Sequence, residues 1–210
     1  MQLYRVFTHR HHAEEFLSGA IRFRPLDAYR AMEHAARGDP GEGMARHREH
    51  RADRTAVVIQ NGVGREVASP GEVTVHTEVG NPVFLCCFTA PPDAAAWERI
   101  RKEFGDVVVE VADSQQLIAD LQAAVNQNDP WQHGALVLWP VAYNKGELLG
   151  TTREQRDPIR HAATQKAPEH AYQHEHRIVL ISYAMPQVDG EPPDPLYIQL
   201  PKALEYAKLL

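Results

Sequence analysis

The sequence predicts an α+β fold in which a mixed or split antiparallel β-sheet is flanked by short helices. Three observations favour this class. Apolar, β-branched runs recur along the chain, the helical segments between them are short, and the two kinds of segment do not alternate in the regular order of a parallel sheet. No repeat, low-complexity tract or clear linker interrupts the 210 residues. We therefore expect a single domain over 1–210.

Short strands and helices are predicted in the first part of the chain. Alternating residues indicate strands over 3–9 and 20–26, and the helix between them ends at Gly19. A second helix is predicted from Asp27, which serves as its N-cap. The segment from Pro40 to Asp53 is polar and rich in Gly, Arg and His, so we expect a loop there.

A hairpin and a central strand are predicted next. The segment 55–68 reads as two strands around Asn61-Gly62, which is a strong two-residue turn signal. A further strand is predicted over 72–79. The unbroken apolar run VFLCCFT, ending at Thr89, is typical of a strand that is buried on both faces.

Helices and strands continue in the second half. Helix signals are the Pro and Asp that open 91–105, the Gly that ends it, and the amphipathic pattern after Asp113. The predicted elements are helices over 91–105 and 113–127, and strands over 106–112, 135–144 and 176–184. Pro140 requires an edge strand or a bulge. A last strand and a short helix are expected within 195–210.

The composition excludes several classes of protein. Hydrophobic residues make up 43% and charged residues 24%, which is ordinary for a globular protein, and the formal net charge of -6 argues against a broad nucleic-acid surface. No apolar run approaches the roughly 18 residues of a membrane span, and the N-terminus lacks the apolar region of a signal peptide. The only cysteines, Cys86 and Cys87, are adjacent and rarely form a disulfide in that arrangement. We therefore expect a cytoplasmic protein.

The familiar nucleotide and metal motifs are missing from the sequence. No Gly-x-Gly-x-x-Gly or P-loop occurs, and the histidines match no tight ligand motif such as His-Glu-x-x-His. We therefore predict no metal site. A metal-dependent hydrolase or nuclease stays an alternative because the sequence has 12 histidines, among them His9, His11 and His12. A Cys87 nucleophile is also an alternative, although a cysteine in an apolar run usually packs as a small hydrophobe.

The stretch YQHEHRIVL, from Tyr172 to Leu180, is the most unusual in the chain. Read as a strand, it places Gln173, Glu175 and Arg177 on one face and the intervening histidines on the other. An ordinary interpretation is an ion pair between Glu175 and Arg177.

Three short motifs together carry a family resemblance. They are Tyr4-Arg5 on an early strand, Cys-Phe-Thr ending at Thr89 on a middle strand, and Gln173-x-Glu175 on a late strand. This set resembles the ADP-ribosyltransferase family of the cholera-toxin-like type, which carries Arg, Ser-Thr-Ser and Glu-x-Glu or Gln-x-Glu at such places. The Cys-Phe-Thr and the segment QKAPEHAYQHEHRI are also similar to a widespread bacterial family with Cys-Phe-Ser/Thr and Lys…Tyr-x-x-Glu-x-Arg motifs. The Cys-Cys-Phe-Thr run departs from Ser-Thr-Ser.

The resemblance implies an ADP-ribosyltransferase-like fold and an NAD-dependent ADP-ribosyltransferase or NAD glycohydrolase, with NAD as substrate and a role as a bacterial toxin or in phage defence. It implies that Glu175 stabilises an oxocarbenium-like state, that Gln173 orients an acceptor of unknown identity, that Arg5 holds a phosphate or ribose, and that Thr89 positions Glu175. Arg5, Thr89 and Glu175 should then converge in one cleft, and the enzymatic interpretation fails if Arg5 and Glu175 point to different faces. The alternative on the same fold is an interaction module that has lost the site.

Overall fold

The computed structural model describes residues 1–30, 44–51, 55–60, 63–68, 71–78, 83–127, 134–143, 158–181 and 194–210. Antiparallel strands and a few helices make up this part of the chain, which confirms the α+β class. The strands are β1 (Leu3–Phe7), β2 (Ala20–Pro25), β3 (Met44–Arg51), β4 (Thr55–Gln60), β5 (Val63–Ala68), β6 (Gly71–Glu78), β7 (Val83–Thr89), β8 (Val107–Val111), β9 (Ala135–Pro140), β10 (Glu175–Ile181), β11 (Leu196–Gln199) and β12 (Ala207–Leu209). The helices are α1 (Arg10–Leu17), α2 (Leu26–Arg30), α3 (Ala94–Phe104), α4 (Ser114–Gln127) and α5 (Pro158–Thr164), followed by a 3-10 helix (Pro168–Gln173).

Eight of these strands form one sheet. Its order along one path is β11-β2-β7-β1-β8-β12, and β10 pairs with both β7 and β9. The other four described strands form two-stranded ribbons, β3 with β6 and β4 with β5. Within the described ranges no helix combines the length and the apolar character that a bilayer crossing demands.

The central strand β7 has an interrupted edge. Along one side, β10 pairs with it over its whole length, from Glu175 opposite Thr89 to Ile181 opposite Val83. The other side is shared by two strands, because β1 pairs at Thr89 and β2 pairs at Leu85 and Phe84. The sheet is therefore open between β1 and β2, alongside Cys86–Phe88.

Two apolar cores lie on opposite faces of the sheet. The larger core contains Phe16 of α1 and Leu117 and Leu121 of α4, packed on buried residues of several strands. The smaller core contains Leu26 of α2 and Ala163 of α5. The cysteines divide between the faces, since Cys86 belongs to the larger core and Cys87 packs against the smaller one. The VFLCCFT run is thus a strand covered on both faces, as predicted.

Local sequence signals fix several element ends. The Asp93 side chain accepts a hydrogen bond from the Ala96 amide at 2.8 Å, which caps α3, and Asp113 caps α4 in the same way. Gly105 has a φ of 124°, a region that glycine reaches far more readily than other residues. The two strands predicted on either side of Asn61-Gly62 are confirmed, because Gln60 pairs directly with Val63, whereas Asn61 and Gly62 lie outside the described residues. Pro140 lies on β9, which within the described strands pairs with β10 alone.

Some predictions were wrong. The loop expected from Pro40 to Asp53 contains β3, which pairs with β6 through main-chain groups that do not depend on apolar side chains. The helix predicted near the C-terminus is absent from the described residues after Gln199, where β12 instead adds a short edge strand to β8. Asp27 lies inside α2, which begins at Leu26, so it does not cap the helix. Residues 31–43 of that predicted helix lie outside the described residues, and the single domain over 1–210 stays a prediction.

Candidate active site

A cleft of about 490 Å³ lies where the sheet is open between β1 and β2. Its walls come from β1, α1, β2, β7 and the segment from Lys166 to Glu175. All four residues predicted from the sequence, Arg5, Thr89, Gln173 and Glu175, line this cleft. The interrupted edge of β7 therefore creates the space in which the three motifs meet.

Two of these residues leave the sheet on opposite faces. Thr89 is directly opposite both Tyr4 and Glu175, and directly opposed residues point to the same face. Arg5 follows Tyr4, so it lies on the other face, next to Phe16 and beneath α1. The expectation that Arg5 and Glu175 share one face was wrong, because the register places Tyr4, not Arg5, beside Thr89. This arrangement counts against the enzymatic interpretation, although one cleft reaches both side chains through the opening in the sheet.

The Glu175 carboxylate is buried between two cations. Arg177 donates from Nε to Oε1 at 2.8 Å and from Nη2 to Oε2 at 3.4 Å, and Lys166 donates from Nζ to Oε2 at 2.9 Å. Only 7% of the Glu175 side chain is exposed, and Arg177 is fully buried. A carboxylate offers about four acceptor positions. Besides these three donors, the Cys87 thiol also hydrogen-bonds to the Glu175 carboxylate. The predicted ion pair between Glu175 and Arg177 is present.

The two cations keep Glu175 ionised. Burial by itself would raise the pKa of this carboxyl, but the charges of Arg177 and Lys166 and their hydrogen bonds outweigh burial and lower the pKa far below the usual value. Glu175 is therefore an anion at neutral pH. Because one carboxylate faces two cations, this buried cluster has an excess of positive charge.

Gln173 reaches the cluster by a different route from the one predicted. It ends the 3-10 helix and is not part of β10, because His174 adopts a left-handed conformation with φ 44° and ψ 41°. The prediction that Gln173 and Glu175 share a strand face was wrong for this reason. The Gln173 side chain nevertheless accepts a hydrogen bond from Lys166 Nζ at 2.8 Å, so Lys166 links it to Glu175.

A chain of hydrogen bonds continues from Gln173 to α3. Gln173 Nε2 donates to the Tyr172 hydroxyl at 2.9 Å, and that hydroxyl donates to the Glu103 carboxylate. The Arg99 guanidinium lies over the Tyr172 ring, 3.6 Å from its centroid, and also pairs with Glu103. Burial first, and then Glu103, raise the pKa of Tyr172 to about 12, so the hydroxyl stays protonated and keeps donating. This chain fixes which way the Gln173 amide points.

Tyrosine and cysteine side chains surround Glu175 on its own face. The Tyr143 hydroxyl accepts a hydrogen bond from the Glu175 amide at 2.7 Å, and the Tyr29 hydroxyl lies 3.3 Å from Cys87 Sγ. Burial first, and then the negative charge of Glu175, raise the pKa of the Cys87 thiol well above its usual value. Cys87 is therefore a neutral thiol, which does not fit the alternative of a thiolate nucleophile. Both cysteines are free.

On the opposite face, Arg5 contacts a cysteine sulfur, a main-chain carbonyl and aromatic rings. Its Nη1 donates to Cys86 Sγ at 2.7 Å, and its Nη2 donates to the Arg22 carbonyl at 3.3 Å. Its guanidinium lies 5.0 Å from the Phe16 ring centroid and 5.6 Å from that of Phe88. In the described part of the chain, no carboxylate pairs with it.

Thr89 lies across from Glu175 without holding it. The two residues are register partners, yet among the described residues the Thr89 hydroxyl makes no hydrogen bond to the Glu175 carboxylate, whose donors are Lys166 and Arg177. The role expected for Thr89 in positioning Glu175 therefore belongs to these two cations.

The N-terminal histidines form an exposed cluster at the cleft. The rings of His11 and His12 lie 4.0 Å apart, the rings of His9 and His11 are stacked at 5.6 Å, and His9 and His12 line the cleft. No group of three or more His, Cys, Asp or Glu side chains in the described ranges has an arrangement that could hold a metal ion.

Sequence reasoning missed Lys166 and Tyr143 as site residues. Lys166 belongs to the QKAPEHAYQHEHRI segment, but no local pattern places it beside Glu175, because eight residues, most of them in the 3-10 helix, separate the two. Tyr143 follows β9 at a point where no local pattern marks it. Its place beside Glu175 follows from the pairing of β9 with β10.

Comparison with protein-family models, curated proteins and solved structures finds no match for this chain. The function must therefore be inferred from the cleft itself.

Proposed function

We propose that this protein binds NAD in the cleft and cleaves its nicotinamide–ribose bond, as an NAD-dependent ADP-ribosyltransferase or NAD glycohydrolase on an ADP-ribosyltransferase-like fold. A cytoplasmic location and a role as a bacterial toxin or in phage defence stay predictions from the sequence. The observation that carries the proposal is Glu175, a carboxylate that two cations hold ionised on the wall of a cleft that also contains Arg5.

The proposed reaction requires a fixed negative charge. When the bond between the ribose C1′ carbon and the nicotinamide nitrogen breaks, its electron pair leaves with the nicotinamide and positive charge develops on the ribose. A carboxylate that is already ionised and held in place stabilises that charge without reorganising. Lys166 and Arg177 hold Glu175 in this state, and the carboxylate can accept a ribose hydroxyl in place of the Cys87 thiol. Water, or a nucleophile of an acceptor, then bonds to C1′ and loses its proton.

Nicotinamide release tests the proposal directly. The wild-type protein should release nicotinamide from NAD, and Glu175→Gln should reduce the rate by about 10²–10³-fold. Glu169→Gln is the matched control, because Glu169 is an exposed carboxylate on the neighbouring 3-10 helix and does not line the cleft. Equal rates for the wild-type protein and Glu175→Gln would contradict the proposal.

A second variant separates activity from folding. Glu175→Gln removes the counter-charge of buried cations, so a loss of activity must be accompanied by a check of the fold. Thr89→Val changes the cleft beside Glu175 while leaving the cluster of Lys166, Glu175 and Arg177 intact. We expect this variant to keep the wild-type melting temperature and to release nicotinamide more slowly.

A non-catalytic module is the second candidate function. It is favoured by the three hydrogen bonds that Glu175 already accepts, since a carboxylate with this many partners is also common in purely structural ion clusters. In this case NAD at saturation leaves the melting temperature unchanged, whereas a ligand of the native state raises it.

A further inference from the structure

The charges on the cleft wall do not balance. Two carboxylates line the cleft, and both already have cationic or imidazole partners. Glu15 lies 3.1 Å from His12 Nδ1, and Glu175 is occupied by Lys166 and Arg177. Two arginines that line the same cleft, Arg5 and Arg22, have no carboxylate partner within the described part of the chain.

Arg22 is the less satisfied of these two arginines. It lies on β2 between Ile21 and Phe23, which are buried in the larger core, so strand alternation directs Arg22 to the opposite face. Its guanidinium lies 5.7 Å from the ring centroid of the exposed Tyr197. Its Nε is buried and has no hydrogen-bond partner among the residues that the structure describes.

An arginine in this condition favours an anionic ligand. A buried N–H group without a partner costs free energy, and a guanidinium gives phosphate oxygens two parallel hydrogen bonds. Arg5 is its neighbour across the opening in the sheet, because Arg5 Nη2 donates to the main-chain carbonyl of Arg22 at 3.3 Å. Two guanidinium groups without carboxylate partners among the described residues thus line one cleft at the opening in the sheet, Arg5 from the face of the larger core and Arg22 from the opposite face.

We propose that Arg22 is an oxyanion-binding residue that acts together with Arg5, and that the ligand of the cleft carries a diphosphate. Each arginine binds one phosphoryl group, so β2 supplies the second half of the diphosphate subsite. The identification of this diphosphate with that of NAD rests on the function proposed above. The subsite itself rests only on the two arginines and the cleft.

Binding of adenosine, AMP, ADP and inorganic pyrophosphate tests the subsite by titration calorimetry. For the wild-type protein we expect ADP to bind at least about 10-fold more tightly than AMP, and pyrophosphate to compete with ADP. Arg22→Gln should lower the affinity for ADP to the affinity for AMP and should leave the affinity for adenosine unchanged. Arg22→Lys keeps the positive charge but loses the two parallel donors of the guanidinium, so its affinity for ADP should lie between those of the wild-type protein and Arg22→Gln.

Arg10→Gln is the matched control, because Arg10 is an exposed arginine that pairs with Glu14 and does not line the cleft. It should bind all four compounds like the wild-type protein. Arg22→Gln breaks no hydrogen bond of the Arg22 side chain to a described residue, so it should melt at the wild-type temperature.

The outcomes separate this proposal from the enzymatic one. If ADP is preferred over AMP and Arg22→Gln removes the preference, the diphosphate subsite stands even when no nicotinamide is released. If the wild-type protein cleaves NAD but Arg22→Gln does not change the affinity for ADP, the subsite is wrong and the enzymatic proposal stands. The absence of any binding of ADP or pyrophosphate to the wild-type protein overturns the subsite.

Discussion

Replacing Glu175 by Gln should destabilise the protein more than replacing Lys166 by Met. The substitution leaves fully buried Arg177 and Lys166, which is 4% exposed, without a counter-charge. Removing one partner of a buried pair typically costs about 3–5 kcal/mol. For a chain of this size, that corresponds to a fall in melting temperature of about 6–20 °C.

The cluster contains two cations and one carboxylate, so removing one cation and removing the carboxylate should destabilise the protein by different amounts. In Lys166→Met, Glu175 keeps both hydrogen bonds from Arg177 and the remaining pair is neutral. Lys166→Met should therefore lower the free energy of unfolding by less than Glu175→Gln does. For the same reason the double variant should be less destabilised than the two single costs predict, because a methionine at position 166 presents no charge that needs Glu175.

Urea unfolding of the four proteins at neutral pH measures these differences. Glu110→Gln is the control, because Glu110 pairs at 3.5 Å with Lys208, which is 66% exposed, and such a surface pair contributes at most about 1 kcal/mol. A cost for Lys166→Met that equals or exceeds the cost for Glu175→Gln refutes the reasoning that one carboxylate compensates two cations.

Three further predictions follow from named contacts. The pKa of Glu175 is lower in the folded state than in the unfolded state, where it is about 4.3. The stabilisation that ionised Glu175 gives the fold is therefore complete above that pH and is lost as the pH falls through the depressed folded value. The difference in stability between the wild-type protein and Glu175→Gln should accordingly narrow on acidification. Gly105→Ala should lower the free energy of unfolding, measured in urea, by about 2 kcal/mol or more, because the residue has a φ of 124° and the new Cβ would collide with the Phe7 carbonyl. A Gly105→Ala variant as stable as the wild-type protein would contradict the conformation of this turn. Tyr172→Phe should lower the free energy of unfolding by about 1–2 kcal/mol and slow nicotinamide release, because the Gln173 amide loses its hydrogen-bond acceptor. An unchanged release rate would show that the hydrogen-bond chain to α3 does not act on the cleft.

The parts of the fold that the sequence predicted well have strong local signals. The pairing of β4 with β5, the Asp93 cap and the VFLCCFT strand each follow from signals within a short stretch of sequence. The strand β3 could not be predicted in this way. Its residues MARHREHR lack an apolar face, and what makes them a strand is the main chain of β6, far along the sequence.

The candidate site was predictable only as a set of residues. The motifs correctly placed Arg5, Thr89, Gln173 and Glu175 around one cleft. They could not predict that β1 and β2 share one edge of β7, and this shared edge decides which face each residue uses. The register of Tyr4 against Thr89 is a tertiary property, and a shift of one residue would have moved Arg5 to the face of Glu175.

The charges around the cleft place two requirements on any ligand. Arg5 and Arg22 lack carboxylate partners among the described residues, so one part of the ligand must be anionic. Glu175 is ionised and lines the cleft, so the part beside it must donate a hydrogen bond or carry positive charge. A simple phosphate ester meets the first requirement alone, and a simple cation meets the second alone. NAD meets both, because its diphosphate is negative while its nicotinamide ring is positive and is joined to a ribose that carries hydroxyl donors. The two proposals therefore concern two different parts of one molecule, its diphosphate and its nicotinamide ribose, and for this reason their tests can fail separately.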